Sequence, residues 1–349
     1  MKIPTDILII NNVPSFYKIN LYNELAKRCK IHVVFIALTN QVVIEKSFQE
    51  NIQFSYELLS SIQIEKRNKW QSFNRLYSIC KSYNYKKIIY GGYDDLEQRL
   101  LLFLTPKSKN CLQFESSIRE SKAIGLIAAV KKIIFNQISI ALPSGKLQTA
   151  VFEALEYRGV IIETKGVGIF NKSLVSKTNI LSNNSQPNYI YVGRLIPVKN
   201  LEFLIDVFNT INKPLTIVGT GVLESALKQR ANSNIKFTGF VPNNEVSELY
   251  KANDVFILPS VSETWGLVVE EAVYFGLPVL VSDAVGCQEE MVLKPKTGIV
   301  FSPFDQKSLI NAIAEMESNM DYYKHNCYSF DFNERDRQQV EAYLKILSL

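Results

Sequence analysis

Histidine is almost missing from this chain of 349 residues: His32 and His325 are the two it has. His32 falls inside the apolar run IHVVFIAL and reads as a core residue, while His325 lies in a polar C-terminal stretch, so neither is a good candidate for catalysis. The cysteines, Cys29, Cys80, Cys111, Cys287 and Cys327, are odd in number and scattered, with no C-x-x-C pair. That excludes a cysteine-based metal or redox motif and a disulfide framework. No apolar run approaches the ~18 to 20 residues of a membrane span, and the opening MKIPTDILIINNVPSFYK has too short an apolar core for a signal peptide. The expected location is the cytoplasm. A D-x-D strand-end motif is also lacking: Asp94 and Asp95 are adjacent, DFNERD lies in the polar tail, and both sets are expected to be surface acids. No magnesium site is implied. Neither Asn11–Tyr17 nor Val218-Gly219-Thr220-Gly221, with Glu224 where a third glycine would stand, completes G-x-G-x-x-G, which argues against a nicotinamide oxidoreductase. The basic residues are not interleaved with aromatics as in a nucleic-acid module, so no nucleic-acid partner is expected.

What is present suits a globular protein of two domains. Hydrophobic residues make up 47% and charged residues 21%, and the length exceeds that of a usual single domain. Charge divides unevenly: residues 1–178 carry 25 Lys and Arg against 14 Asp and Glu, and the remainder 14 against 20, or +11 and −6. A basic first half suits an anionic partner such as a membrane surface or a lipid phosphate; a solvated basic face is the alternative.

Short apolar runs alternate with amphipathic stretches, the pattern of β-α units around parallel sheets. DILII (6–10), IHVVFIAL (31–38), KIIY (87–90), CLQF (111–114) and ISIAL (138–142) are the strand candidates of a first doubly wound domain, 1–172. SLVSKTNILSNNSQP (173–187) reads as a linker. NYIYVGRL (188–195), LTIVG (215–219), IKFTGF (235–240), DVFILPS (254–260) and LPVLVSD (277–283) begin a second such domain, 188–320. Residues 321–349 read as a helical segment returning to the first. Two such sheets bind ligands at the carboxyl ends of their strands.

SETWGLVVEEAVYFGLPV (262–279) then carries the chemistry. Glu263 and Glu271 stand eight positions apart around Gly266, and Gly276 and Pro278 stop the helix that Gly266 begins. The first amides of a helix lack partners and, with the macrodipole, suit an anion. Glu271 lies about one turn inside, on the Leu267 face; Glu270 is rotated away. Carboxylates flanking a phosphate site can each take two hydroxyl donors, as a sugar nucleotide offers. The competing reading makes Glu263 a cap and Glu271 a solvent-facing residue. VGRLIPVKN adds Arg194 and Lys199 in one strand-helix loop, cations able to neutralise a diphosphate without a metal, with Asn200 as the N-cap.

With these pieces assembled, the chain resembles the retaining, GT-B-fold glycosyltransferases of family 4, of the bacterial surface-polysaccharide type. VGRLIPVKN (192–200), IVGTGVLESALK (217–228), the run from FTGF to LVSD (237–283) and TGIVFSP (297–303) match in the family order. The first half matches more loosely, through IINNVPSFYKINLYNELAK (9–27). The resemblance implies an α/β fold of two Rossmann-like doubly wound domains facing across a cleft. It also implies transfer of a hexose or N-acetylhexosamine from a nucleoside-diphosphate sugar, foremost a UDP-sugar, to a lipid-linked or oligosaccharide acceptor in O-antigen or capsule assembly. Glu263 would contact the transferred sugar and Glu271 the ribose. Arg194 and Lys199 would hold the diphosphate, the Gly266 and Leu267 amides would cap it, and Phe240-Val241 would meet the base. Thr264 and Trp265 fill variable positions of the motif, and Trp265 either shapes the sugar pocket or packs. No metal and no cofactor other than the donor is expected. The chain departs from the family in having no glycine in NNVPSFYK and no reaction-centre histidine in the first domain, so Glu115, at the end of CLQFESS, is the substitute. The apolar stretch 123–137, carrying Lys131 and Lys132, is either a core-facing helix or a docking site for the anionic inner leaflet. An inactive sugar-nucleotide-binding or scaffold protein of the same fold stays open as the alternative.

Overall fold

The computed structural model describes residues 2–38, 51–121, 123–172 and 186–349. All but the last two residues of the expected linker, 173–187, lie outside them. The described chain folds as two units, residues 1–171 with 333–349, and residues 172–332.

In the first unit, β1 (Ile3–Asn11), β2 (Ile31–Phe35), β3 (Ser55–Leu58), β4 (Tyr83–Tyr90), β5 (Asn110–Phe114), β6 (Ile140–Pro143) and β7 (Val160–Ile161) form a parallel sheet in the order β3-β2-β1-β4-β5-β6-β7. The helices are α1 (Phe16–Ala26), α2 (Lys69–Ser82), α3 (Leu96–Leu104), α4 (Gly125–Phe135) and α5 (Lys146–Ala154). Strand order reverses between β1 and β4, so right-handed crossovers send α1 to one face and the later helices to the other. Side chains alternate accordingly: Leu8 and Ile10 join the core with Leu76, Leu101 and Phe152, whereas Ile7 and Ile9 join the core with Leu21, Tyr22 and Leu25.

The second unit repeats the plan with β8 (Tyr189–Val192), β9 (Leu215–Val218), β10 (Ile235–Gly239), β11 (Val255–Leu258), β12 (Val279–Ser282) and β13 (Gly298–Phe301), in the order β10-β9-β8-β11-β12-β13. Its helices are α6 (Leu201–Ile211), α7 (Glu224–Arg230), α8 (Asn243–Lys251), α9 (Leu267–Tyr274), α10 (Gln306–Ser318) and α11 (Met320–Ser329). The reversal falls between β8 and β11, whose carboxyl-end loops therefore lie side by side.

The last helix, α12 (Phe332–Lys345), belongs to the first unit from Asn333 onward. There Gln113 donates to the Tyr343 hydroxyl at 2.6 Å and Gln339 to the Gly168 carbonyl at 3.1 Å. The expected returning segment, 321–349, thus starts too early. α11 stays in the second unit, where Cys327 is buried and Lys324 pairs with Asp254 at 3.2 Å. Asp95 also departs from expectation. It is no free surface acid, because Arg67 donates to it at 2.6 Å and to Glu97 at 2.7 Å, and a guanidinium that buried needs fixed anions around it.

Candidate functional site

The loop leaving β8 holds both expected cations. Gly193 and Arg194 lead into a 3-10 turn, Pro197–Lys199, and Asn200 follows in the left-handed region at φ 56°. Asn200 does not cap α6 with its side chain, as expected from sequence; its amide donates instead to the Pro303 carbonyl at 2.9 Å. That bond fastens the cationic loop to the end of β13. The turn after β9 closes on the same loop without side chains between. A Cβ on Gly219 would lie 2.0 Å from the Gly193 carbonyl oxygen and one on Gly221 2.3 Å from that of Leu195. Only glycine permits this approach. Hydrogen bonds from Leu195 to Thr220, from Leu223 to Leu195 and from Gly219 to Gly239 then knit the loops after β8, β9 and β10.

The loop leaving β11 meets this edge from the other side. The Val261 amide donates to the Val198 carbonyl at 2.9 Å, and the Gly286 amide to the Glu263 carbonyl at 2.9 Å, so both ends of the acidic loop are fixed. Gly266 stands at φ 104°, in left-handed territory, immediately before α9. Its first amides have no intrahelical acceptor. The Glu263 side chain lies over this helix start, since a Cβ on Gly266 would be 3.5 Å from its Cγ.

Lys199 and Glu263 come together as an ion pair with both side chains mostly covered. Tyr191, a buried residue of β8 that the sequence did not single out, fixes the cationic loop: its hydroxyl donates to the Arg194 carbonyl at 2.9 Å. Burial holds its phenol neutral, helped by the Glu263 charge and opposed by that of Arg194. Arg194 itself is exposed. Arg194, Lys199, Glu263 and Gly266 thus share one edge of one sheet.

Glu271 is half-buried on α9, not solvent-facing. Tyr250 of α8 donates to its carboxylate at 3.2 Å. Burial pushes its carboxyl up to about 7, with the Tyr250 bond pulling it down and the Glu270 charge adding to the rise. Glu270 points elsewhere, fully buried and accepting from the Trp265 indole. Trp265 is 2% exposed, so of its two expected roles the structure shows packing, with the indole N–H engaged as a buried ring requires. Thr264 is exposed and Leu267 half-buried at the head of α9. Phe240 is 66% exposed just past β10, with Val241 half-buried beside it.

Glu115 belongs to the first unit, at the carboxyl end of β5. Its carboxylate is paired with Lys18 of α1, whose side chain is 4% exposed. Burial lowers the Lys18 ammonium's hold on its proton and Glu115 restores part of it. Sequence reasoning missed Lys18, although a signal existed: it stands at i to Leu21, Tyr22 and Leu25 on the buried stripe of α1.

Residues 175–328, most of the second unit, match the family model described as glycosyl transferases group 1. The sulfoquinovosyl transferase of Arabidopsis thaliana is 34% identical over 132 residues, 37% of this chain and 26% of that one. The O-antigen chain mannosyltransferase C of Escherichia coli is 30% identical over 138 residues, 38% of this chain and 37% of that one. The chain therefore spans between about a quarter and two fifths of the length of these curated relatives. Among solved structures, Anabaena HepE in complex with UDP superposes with a TM-score of 0.70 at 16% identity, over 97% of this chain and 100% of that one. The fold is of the GT-B class, and the match to the glycosyl transferases group 1 model falls within the second unit.

Proposed function

We propose that the chain is a retaining glycosyltransferase that moves a hexose or N-acetylhexosamine from a nucleoside-diphosphate sugar to a lipid-linked or oligosaccharide acceptor. The observation that carries this reading is the Lys199–Glu263 pair lying beside the Gly266-led start of α9. A cation, an anion and helix-start amides without intrahelical acceptors at one sheet reversal match the two ends of an activated sugar, a diphosphate and a set of hydroxyls.

On this reading the incoming diphosphate draws Lys199 away from Glu263 and takes charge from Arg194 as well, while the Gly266 and Leu267 amides cap its oxygens. Glu263, released, accepts from the sugar hydroxyls. Glu271 accepts from the ribose, and exposed Phe240 offers a face to the base. The sugar-phosphate bond breaks with its electron pair passing to the diphosphate oxygen. The acceptor oxygen bonds to the sugar carbon on that same face, and its proton goes to the departing oxygen. Two cations offset the leaving charge, so the transfer in this reading needs no metal. Orientation and charge stabilisation supply the rate. The UDP in the HepE complex and the mannosyl and sulfoquinovosyl transfers named for the relatives support a nucleotide-sugar donor, with UDP as the first base to try. Assembly of a bacterial surface polysaccharide is the setting this suggests.

Incubation with UDP-sugars in the absence of acceptor tests the reading. Slow release of UDP is expected. Tight binding without any release, with or without acceptor, would make the chain a binding module instead of an enzyme.

A further inference from the structure

Helix α4 turns its apolar side outward. Lys131, Ile134 and Phe135 are buried, Ala128 packs partly against the same core, and the Lys131 ammonium donates to the Ser121 hydroxyl at 2.6 Å. The opposite stripe is aliphatic. Leu126 is 87% exposed, Val130 55% and Ile133 57%, repeating at i, i+4 and i+7, with Ile124 and Ile127 next to them. A surface helix ordinarily shows polar residues on its outer side, whereas α4 is apolar on both. A contiguous exposed apolar stripe of this kind marks a docking surface.

The surrounding charge selects the occupant. Residues 101–158 carry eight Lys and Arg against four Asp and Glu, with Lys132 paired to Glu156 and Lys146 to Glu153, and so stay net positive. A second copy would set this net positive stretch against itself, whereas an anionic lipid surface is attracted by it and receives the aliphatic stripe among its acyl chains. The helix has 11 residues, about 16 Å at the α-helical rise, against a hydrocarbon core of about 30 Å. No helix among the described residues is long and apolar enough to cross a membrane. The geometry is that of a helix lying in the interface plane.

We propose that α4 docks the chain on an anionic lipid bilayer, Leu126, Ile127, Val130 and Ile133 immersed and the exposed cations Arg119 and Lys132 at the headgroups. In the crossover from β5 to β6, α4 starts at the carboxyl edge of the first sheet, ten residues after Glu115. Docking therefore brings that edge to the lipid headgroups, where a lipid-linked acceptor would lie. The docking itself is independent of the donor site.

Sedimentation of the full chain with phosphatidylcholine vesicles, with and without phosphatidylglycerol, tests this alongside a Leu126→Asn/Val130→Asn double variant. Both positions are exposed, and a thermal melt together with UDP titration checks that the variant stays folded. The wild type is expected to pellet with the anionic vesicles, less so as salt rises, and the double variant to bind at least about tenfold more weakly. A wild type that stays in the supernatant with anionic vesicles at low salt overturns the proposal. So does a double variant that pellets as well as the wild type. Concentration-dependent dimerisation abolished by the double variant, with no vesicle binding, would assign the stripe to a second copy and also overturn it.

Discussion

The two sheets reverse strand order at equivalent places, between β1 and β4 and between β8 and β11, but they fit out the carboxyl edge there differently. In the second unit the turns are backbone against backbone, with Gly219 and Gly221 pressed on the Gly193–Leu195 loop, so amides and charged tips are what the edge presents. In the first unit Gly91 also presses on the Ile10 carbonyl, but side chains fill the rest of the edge: Lys18 reaches Glu115, Asn11 donates to the Tyr22 hydroxyl at 2.8 Å, and Gln98 donates to Asn12. Glycine-free NNVPSFYK and glycine-rich VGTGV are the sequence causes. One scaffold therefore provides an edge open to a phosphate and an edge already occupied by its own polar groups.

The sharpest way to break this contrast is to remove the cations of the second edge. Arg194→Ala and Lys199→Ala are each expected to lower turnover about 100-fold, or about 3 kcal/mol, in a steady-state assay of nucleoside diphosphate release. Near-wild-type rates in both would dissolve the contrast.

On the first edge the expected cost falls on stability. Glu115→Gln leaves a buried ammonium without its anion and should cost roughly 2–3 kcal/mol in urea unfolding. Lys18→Met leaves a half-exposed carboxylate that water can reach, and should cost less than about 1 kcal/mol. Equal losses would mean that the pair is not an ion pair in the folded protein. Turnover should also fall in Glu115→Gln; an unchanged rate removes Glu115 from the reaction.

A smaller effect is expected at Gly266→Ala. The left-handed backbone costs a β-carbon about 1–2 kcal/mol, and Val285 and Val269 stand 3.2 and 3.3 Å from the new atom. Thermal unfolding measures the loss, and no loss would mean that the turn can relax.

A pH slope is expected as well, spread over the range between two pKa values instead of appearing at one pH. The Glu271 carboxyl has an ordinary value of 4.5 and one of about 7 in the fold. Between these the folded chain holds the proton more firmly than the unfolded chain, so this group's contribution to stability declines as pH rises from about 4.5 to about 7 and is level above. Glu271→Gln should flatten that part of the melting-temperature curve. Parallel wild-type and variant curves would contradict the assigned burial.

Much of this was legible in the sequence because parallel strands buried on both faces leave continuous apolar runs, and DILII, LTIVG and DVFILPS are such runs. β3, whose SYEL is exposed or half-buried throughout, and two-residue β7 offer no such run. Glu263, Gly266, Lys199 and Arg194 were legible because loops after adjacent strands must meet. The Lys18 partner of Glu115 was not read, since a lysine in an amphipathic helix looks like a surface residue until its place on the apolar stripe is counted. For α4 the sequence left a core-facing helix and a docking helix both open, because a helix apolar on both sides does not say which side faces the core. Trp265 could not be assigned from sequence because only coordinates reveal that its indole meets Glu270.

The central claim is that the second sheet's carboxyl edge is the donor site, and calorimetric titration of UDP into the wild type, Lys199→Ala and Glu115→Gln tests it most directly. The account expects binding to the wild type, at least about tenfold weaker binding to Lys199→Ala, as one lost charge-assisted contact implies, and unchanged affinity in Glu115→Gln. Affinity that falls with Glu115→Gln and stays constant with Lys199→Ala would contradict it.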